Sequence, residues 1–130
     1  MLFRSKVGDE EEPTLRQMGL YAAASEDPAS IAEGICTRYP QVKYVLYTMG
    51  GKGSFVYSAF EKRGFVQPAA SVPVLSTVGA GDSYAAAWSV SYLSGLPVEK
   101  AAENAAALSG FVVSNTAAVP EYQREDLFRY

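Results

Sequence analysis

The segment "VPVLSTVGAGDSYAAAW", residues 72–88, constrains the fold most, because two glycines join a short apolar run to an Ala-rich stretch. Gly79 and Gly81 can take backbone conformations that other residues avoid, and Ala80 between them keeps the turn thin. An apolar run that passes through such a turn into an amphipathic stretch is typical of a strand followed by a helix. The segment therefore predicts a protein that contains both a sheet and helices.

A second helix is predicted in "SEDPASIAEGICTRYP", residues 25–40. Asp27 can cap its start, and Pro28 fits the first helical position. Ile31 and Ile35 recur at a four-residue step, which gives the helix one apolar face. The proline at the end of the segment is expected to stop the helix.

Three strands are predicted between residues 42 and 70. Val42–Thr48, "VKYVLYT", has consecutive apolar residues, which favours a strand covered on both faces. The runs "SFVYSAF" and "FVQPAA" are short and close together, so they predict a hairpin. "VPVLS" predicts a further short strand just before the glycine turn.

Two helices are predicted after that turn. In the first, which Gly95 should end, an amphipathic pattern is formed by Tyr84, Ala85, Trp88 and Tyr92. The second should begin at Pro97, and its expected buried stripe consists of Ala101, Ala105, Leu108 and Val112. The order of elements predicts an α/β fold with a partly parallel sheet, whose edges would be exposed.

The N-terminal segment is the hardest to assign. Residues 1–12 mix charged and apolar residues without a clear period, so their structure is uncertain and disorder is one expectation. The acidic run Asp9–Glu12 is expected to be solvated. The length of 130 residues predicts one domain, residues 1–130.

Composition excludes several classes of function. The net charge of −3 and the absence of a basic patch argue against nucleic acid as a partner, and Lys62-Arg63 is more simply a solvated loop. One cysteine, Cys36, cannot form an internal disulfide, and its setting predicts a packing residue in a reducing compartment. No apolar run approaches the roughly 20 residues of a membrane span, and a cytoplasmic location is expected.

The chain contains no histidine, so acid–base chemistry must come from carboxylates, Lys or Tyr. In "GAGDS" the N–H groups of a helix start would converge on an anion site. Asp82 would repel an anion there, so a carboxylate at this site needs another explanation. One explanation is that Asp82 does not bind the phosphate but takes a proton from the hydroxyl that attacks it. From these five residues alone, an Asp that merely caps a helix behind a tight turn is an equally good interpretation. Neither a G-x-G-x-x-G nor a complete P-loop is present.

Two further segments could contact a nucleotide. In "YTMGGKGSFVY", Thr48 ends the buried strand and the following glycines leave backbone N–H groups open to a phosphate or ribose. The simpler interpretation is a hairpin loop with glycines at positive φ. Asn104, in "AAENAAALSG", could contact an adenine edge, although such a residue is more often exposed or bonded to a neighbouring segment.

In this order the motifs are much more specific than any one of them. "YVLYTMGGKGSFVY", "STVGAGDSYAAAW" and "AAENAAALSGFVVSNTAAVP" resemble the C-terminal half of the ribokinase-type (pfkB) carbohydrate kinases, which include fructokinases. The resemblance covers about residues 27–120. It implies a ribokinase-like, three-layer αβα fold, of which this chain would be the nucleotide-binding part of a mostly parallel sheet with a β-hairpin.

The resemblance also implies roles for residues. Asp82 would deprotonate the hydroxyl of a sugar or sugar-like alcohol, and the amides of Gly79, Ala80 and Gly81 would hold the γ-phosphoryl. ATP would bind with Mg²⁺ at a site formed by Thr48, Gly50, Lys52, Gly53 and Asn104.

Three positions depart from the family pattern. Ser76 replaces the usual Asp at a monovalent-cation site, to which Val78 would also belong, so K⁺ binding is doubtful. Ala117 stands where the family often has Gly. The family's Asn-x-x-Glu motif, which is linked to Mg²⁺ and phosphate, is not apparent upstream.

Members of the family are roughly twice as long as this chain. The resemblance therefore implies that this chain is a fragment, a truncated product or one part of a longer protein. Its partner would be the missing N-terminal half or a second copy of the chain in a homodimer. Two other interpretations stay open: a non-catalytic nucleotide-binding or interaction module, and a structural fragment whose exposed sheet edges would make it self-associate.

Overall fold

The structure, a computed structural model, describes residues 3–72 and 79–115. In chain order the elements are β1 (Arg4–Gly8), α1 (Glu12–Gln17), α2 (Pro28–Arg38), β2 (Tyr44–Thr48), a 3₁₀ turn (Gly50–Lys52), β3 (Ser54–Ser58), β4 (Arg63–Gln67), α3 (Ala80–Leu93) and α4 (Val98–Asn115).

The strands form one mixed sheet in the order β1-β2-β3-β4. β1 and β2 are parallel, with Gly8 opposite Thr48 at their carboxyl ends. β2, β3 and β4 are successive antiparallel neighbours, which confirms the predicted hairpin. The short strand predicted in "VPVLS" falls almost entirely on residues 73–78, which lie outside the described residues.

Helices cover both faces of the sheet, as the three-layer prediction requires. Successive residues of β2 point to opposite faces, so Val45 packs into the core beneath α2, and Leu46 packs into the core beneath α3 and α4. Both side chains are fully buried. The consecutive apolar residues of this strand therefore reflect a strand covered on two sides, which is what the sequence indicated.

The helix α2 begins and ends close to its predicted bounds. Pro28 is in its first turn, and Ile31 and Ile35 are buried. Asp27 occupies the N-cap position, but its side chain makes no capping hydrogen bond, contrary to the prediction. Cys36 is half-buried against the core, and this burial raises the pKa of its thiol.

The helices α3 and α4 pack against each other and on the sheet. Trp88 of α3 is fully buried, and Gly95, with φ of 93°, follows the end of this helix as predicted. In α4, Ala101 and Ala105 are buried as predicted, whereas Leu108 is 41% exposed. The stripe was wrong at Leu108 because the contact face also includes the alanines at 102 and 106, which places Leu108 at its border.

The N-terminal segment is not irregular from Arg4 onward, since it contains β1 and the start of α1. Glu12 is also not solvated: it is 2% exposed, accepts two hydrogen bonds of 2.9 Å from Arg16, and accepts one of 2.8 Å from the Tyr21 hydroxyl. Burial, and then the Glu12 carboxylate, raise the pKa of Tyr21. Within the part of the chain that the structure describes, no helix has the length and apolarity to cross a membrane.

Candidate functional site

A cleft of about 450 Å³ opens at the carboxyl ends of β1 and β2. Gly8 and Thr48, the last residues of the two parallel strands, lie at its base. Ala80 and Gly81, from the first turn of α3, form part of its wall. Open α/β sheets bind ligands at this edge, because the loops and helix starts that follow the strands meet there.

The glycine turn before α3 aims the start of that helix at the cleft. Gly79 is the N-cap residue with φ of 83°, a conformation that favours glycine. Its carbonyl accepts the first helical hydrogen bond from the Ser83 N–H at 2.9 Å. The N–H groups of the first turn have no partners within a helix, so they can donate to an anion.

Asp82 is in this first turn, and its side chain is exposed. It does not line the cleft itself, although Ala80 and Gly81 immediately before it do. Gly79 is also outside the lining. The Asp82 side chain is therefore exposed to solvent, and along the chain it directly follows two residues that line the cleft.

The loop after β2 forms a compact turn on another wall of the cleft. The Met49 N–H donates to the Gly53 carbonyl at 2.8 Å, and the Gly53 N–H donates to the Gly50 carbonyl at 3.1 Å. Gly50 and Gly53 have positive φ, as the hairpin interpretation predicted, and both line the cleft. A Cβ on Gly53 would lie 2.2 Å from the Gln67 carbonyl oxygen, so a side chain is excluded there. Lys52 is exposed and does not line the cleft.

Lys6 was not recognised as a site residue from the sequence. It is the one positively charged residue among the described residues that line the cleft. Its side chain extends from β1 to the first turn of α3: a Cβ on Gly81 would lie 2.7 Å from Lys6 Nζ. Nζ is also 3.3 Å from Oε1 of Glu11. The signal was present in "SKVGDEEE", but it could be used only once these residues were known to follow a parallel strand.

Acidic residues from the same segment complete this end of the cleft. Asp9, Glu10 and Glu11 line it. The Gly8 N–H donates to Glu11 at 3.0 Å, and this bond, followed by that from Lys6, lowers the pKa of Glu11. Asp9 and Glu12 have the i, i+3 spacing of the Asn-x-x-Glu motif, with Asp in place of Asn. The described residues contain no group of three or more His, Cys, Asp or Glu that could hold a metal ion.

Asn104 does not reach the cleft. Its side-chain amide donates to the Ser91 hydroxyl at 3.1 Å, which links α4 to α3. The residues of α4 that line the cleft are Ala106, Ser109, Gly110 and Val113. These lie roughly on the opposite side of the helix from Asn104. The simpler interpretation, a bond to a neighbouring segment, describes this residue.

A buried hydrogen bond joins the two glycine turns. The Ser54 hydroxyl, directly after Gly53, bonds to the hydroxyl of Tyr84, two residues after Asp82, at 2.5 Å. Ser54 is 2% exposed and Tyr84 is 3% exposed, and both line the cleft. Burial raises the pKa of Tyr84, while the bond to Ser54 opposes that shift. The predicted cation-site residues, Ser76 and Val78, lie outside the described residues.

Residues 20–123 match the family model described as "pfkB family carbohydrate kinase". The chain belongs to this family. A comparison with curated proteins finds no match. Among solved structures, a ribokinase of Thermotoga maritima covers 99% of this chain, with a TM-score of 0.72 and 19% identity. An Arabidopsis thaliana ribokinase, complexed with ribose and ATP, covers 98%, with a TM-score of 0.69 and 24% identity.

A third match is a putative ribokinase II of E. coli in complex with ATP and Mg²⁺, with a TM-score of 0.70 and 22% identity over 87% of this chain. These likenesses show the ribokinase-like fold that the resemblance implied. The chain covers only 43%, 41% and 33% of the three structures, respectively.

Proposed function

We propose that this chain forms the nucleotide-binding part of a kinase that transfers the γ-phosphoryl group of ATP to a hydroxyl of a sugar or sugar-like alcohol. One observation carries the proposal: the first turn of α3 and the glycine turn at 50–53 form walls of the same cleft, at the carboxyl ends of the parallel strands. Similar folds complexed with ribose and ATP, and with ATP and Mg²⁺, support this assignment.

The uncharged lining of the cleft suits the purine ring and the polar groups of ATP. One part is apolar, with Pro68, Ala69 and Val72 together with Ala106 and Val113 of α4, which suits a purine ring. Near the strand ends the lining becomes polar, with the Thr48 hydroxyl and the glycine backbone. The backbone of Gly50 and Gly53 would line the phosphates, and Lys52 extends from the same turn. Asn104 would support α4 through Ser91, in place of the adenine contact expected from the sequence.

The carboxylates fit Mg²⁺ that arrives with the nucleotide. Mg²⁺ commonly binds through one or two carboxylates together with substrate phosphates, and it does not need a cage made only of protein ligands. Asp9 and Glu10 are exposed at the cleft and offer such oxygens. When bound, Mg²⁺ would neutralise charge on the phosphates. A K⁺ site at Ser76 and Val78 stays a prediction from the sequence.

Asp82 would act as the general base. An acceptor hydroxyl at the mouth of the cleft would donate its proton to the Asp82 carboxylate as its oxygen attacks the γ-phosphorus. The N–H groups of Gly79, Ala80 and Gly81 would hold the equatorial phosphoryl oxygens, on which negative charge is spread. Phosphate binding and proton acceptance are then separate tasks of one helical turn, which explains an acidic residue beside an anion site.

The test compares Asp82→Asn with Glu99→Gln in sugar-dependent ATP turnover. Both variants remove an exposed carboxylate from the first turn of a helix, so their effects through the helix dipole are matched. We expect Asp82→Asn to reduce turnover by about 10²-fold or more with little change in ATP affinity, and Glu99→Gln to leave turnover unchanged. Turnover that survives in Asp82→Asn would show that the assigned base is wrong.

The coverage of the solved structures favours a second candidate, a nucleotide-binding module without catalysis. The chain covers 30–43% of the length of eight similar solved structures, and a substrate pocket could lie in the part of those proteins that it does not cover. ATP binding without turnover on any sugar would support this candidate. Nucleosides belong in the same substrate panel, because an adenosine kinase of Sinorhizobium meliloti has a similar fold, with a TM-score of 0.67.

A further inference from the structure

The charge of the cleft does not by itself suit the proposed ligand. Its charged lining among the described residues consists of three carboxylates, those of Asp9, Glu10 and Glu11, and one ammonium, that of Lys6. The carboxylates would repel the phosphates of a nucleoside triphosphate wherever Mg²⁺ is not bound between the two groups. A cation is therefore needed at the point where the phosphates meet the protein.

Lys6 is held at that point by its surroundings. Its side chain is 20% exposed, and it extends along the backbone of Gly81, where Nζ, Cε and Cδ would lie 2.7, 3.2 and 3.7 Å from an added Cβ. A Cβ at residue 81 would require the end of the Lys6 side chain to shift. The ammonium therefore lies beside the backbone of Gly81, in the first turn of α3. The ammonium and the N–H groups of a helix start both carry positive charge.

The partner of Lys6 can be exchanged for a ligand. Glu11 contacts Nζ at 3.3 Å, but its side chain is 54% exposed, and ion pairs of such exposure are weak. Glu11 also keeps a separate hydrogen bond of 3.0 Å from the Gly8 N–H, which does not depend on Lys6. A phosphate could therefore take the ammonium while the carboxylate retains a partner.

We propose that Lys6 is a phosphate-binding residue of this site, held by Glu11 in the absence of nucleotide and transferred to the terminal phosphate of ATP when it binds. The inference rests on the proposed function, because it assumes that the cleft takes a nucleotide. It adds a second side-chain cation to a site in which the sequence predicted only one, that of Lys52. An ammonium with three donors suits a phosphate that it contacts as a point charge.

The test measures the affinity of the 130-residue chain for MgATP and for adenosine in four forms: wild type, Lys6→Met, Lys6→Arg and Lys100→Met. Lys100 is the matched control, since it forms an ion pair of 3.2 Å with Glu103 on an exposed face of α4. We expect Lys6→Met to weaken MgATP binding at least about tenfold while adenosine binding is unchanged. Lys6→Arg should restore part of the loss, and Lys100→Met should resemble the wild type.

The outcomes separate the inference from the proposed function. MgATP binding that is unchanged in Lys6→Met overturns the inference and leaves the proposed function standing. Equal losses for MgATP and adenosine also overturn it, because they indicate a structural role for Lys6. A wild-type chain that binds neither ligand contradicts the proposed function, and the inference fails with it. Circular dichroism of each variant shows whether a loss reflects unfolding.

Discussion

The hydrogen bond between Ser54 and Tyr84 should stabilise the fold more than a hydrogen bond between two exposed hydroxyls would. Tyr84→Phe removes one oxygen and keeps the ring in place, so it isolates the bond. Ser54 would then retain a hydroxyl that is 2% exposed, next to a phenyl edge. Leaving a buried polar group without its partner costs about 1–3 kcal/mol, and the small exposure of both residues places this case in the upper half of that range.

The magnitude can be separated from other effects by a double-mutant cycle. We expect Tyr84→Phe and Ser54→Ala each to lower the free energy of unfolding by about 2 kcal/mol, and the double variant to lose little more than either alone. The coupling energy should therefore be about 1–2 kcal/mol. Tyr92→Phe is the matched control, because its hydroxyl makes a longer bond of 3.3 Å to Tyr44 at a partly buried site. It should cost about 0.5 kcal/mol.

The assay is urea unfolding followed by circular dichroism, with the free energy taken at equal slope for all variants. Additive losses in the double variant would refute the reasoning, since they would mean that the two hydroxyls do not depend on each other. A Tyr92→Phe loss as large as that of Tyr84→Phe would refute it as well, because burial would then not distinguish the two bonds.

Three further predictions follow from the core and its tyrosines. Arg16→Met should lower the free energy of unfolding more than Lys100→Met does, because it leaves the buried Glu12 carboxylate without its main partner. Urea unfolding measures both losses, and equal losses in the two variants would contradict the prediction. Gly34→Ala should cost about 3 kcal/mol and lower the melting temperature, because its Cβ would lie 1.8 Å from the Ala22 carbonyl oxygen; an unchanged melting temperature would exclude this clash. Burial and the Tyr92 hydroxyl raise the pKa of Tyr44 from 10.0 to about 12, so the unfolded chain ionises first, and the stability present below pH 10 should decline as the pH rises towards 12. Urea unfolding across this range measures the decline, and a Tyr44→Phe variant that declines as steeply as the wild type would contradict the prediction.

The sequence predicted the elements whose signals are local. Pro28 and the isoleucine spacing defined α2, and the apolar run ending at Thr48 defined β2. Gly79 with Gly81 marked the start of α3. Each of these signals depends on one turn or one period, so it needs no knowledge of what packs against the segment.

The sequence could not predict β1 because that strand gives almost no local signal. Of its five residues only Val7 is buried, and the strand pairs with β2, about forty residues later in the chain. Glu12 was misjudged for the same reason: an acidic residue in an acidic run is usually solvated. Its burial depends on Arg16 and Tyr21 lying over it, which only the folded arrangement supplies.

The candidate site contains residues with local sequence signals and residues whose positions depend on strand pairing. The residues of the second kind were the ones that the sequence did not predict. The glycine turns could be recognised because their backbone conformation restricts the residue type, but their meeting in one cleft depends on the pairing of strands. Parallel pairing places the ends of β1 and β2 side by side, and only then does Lys6 lie beside Gly81. Lys6 could not be recognised from the sequence because it lies 75 residues before Gly81 along the chain. In the folded structure its side chain is in contact with the backbone of Gly81. A charged site residue on a distant strand can therefore be identified only after two questions are answered. The first is which strand ends lie next to the start of the helix, and the second is which long side chains on those strands reach the helix start.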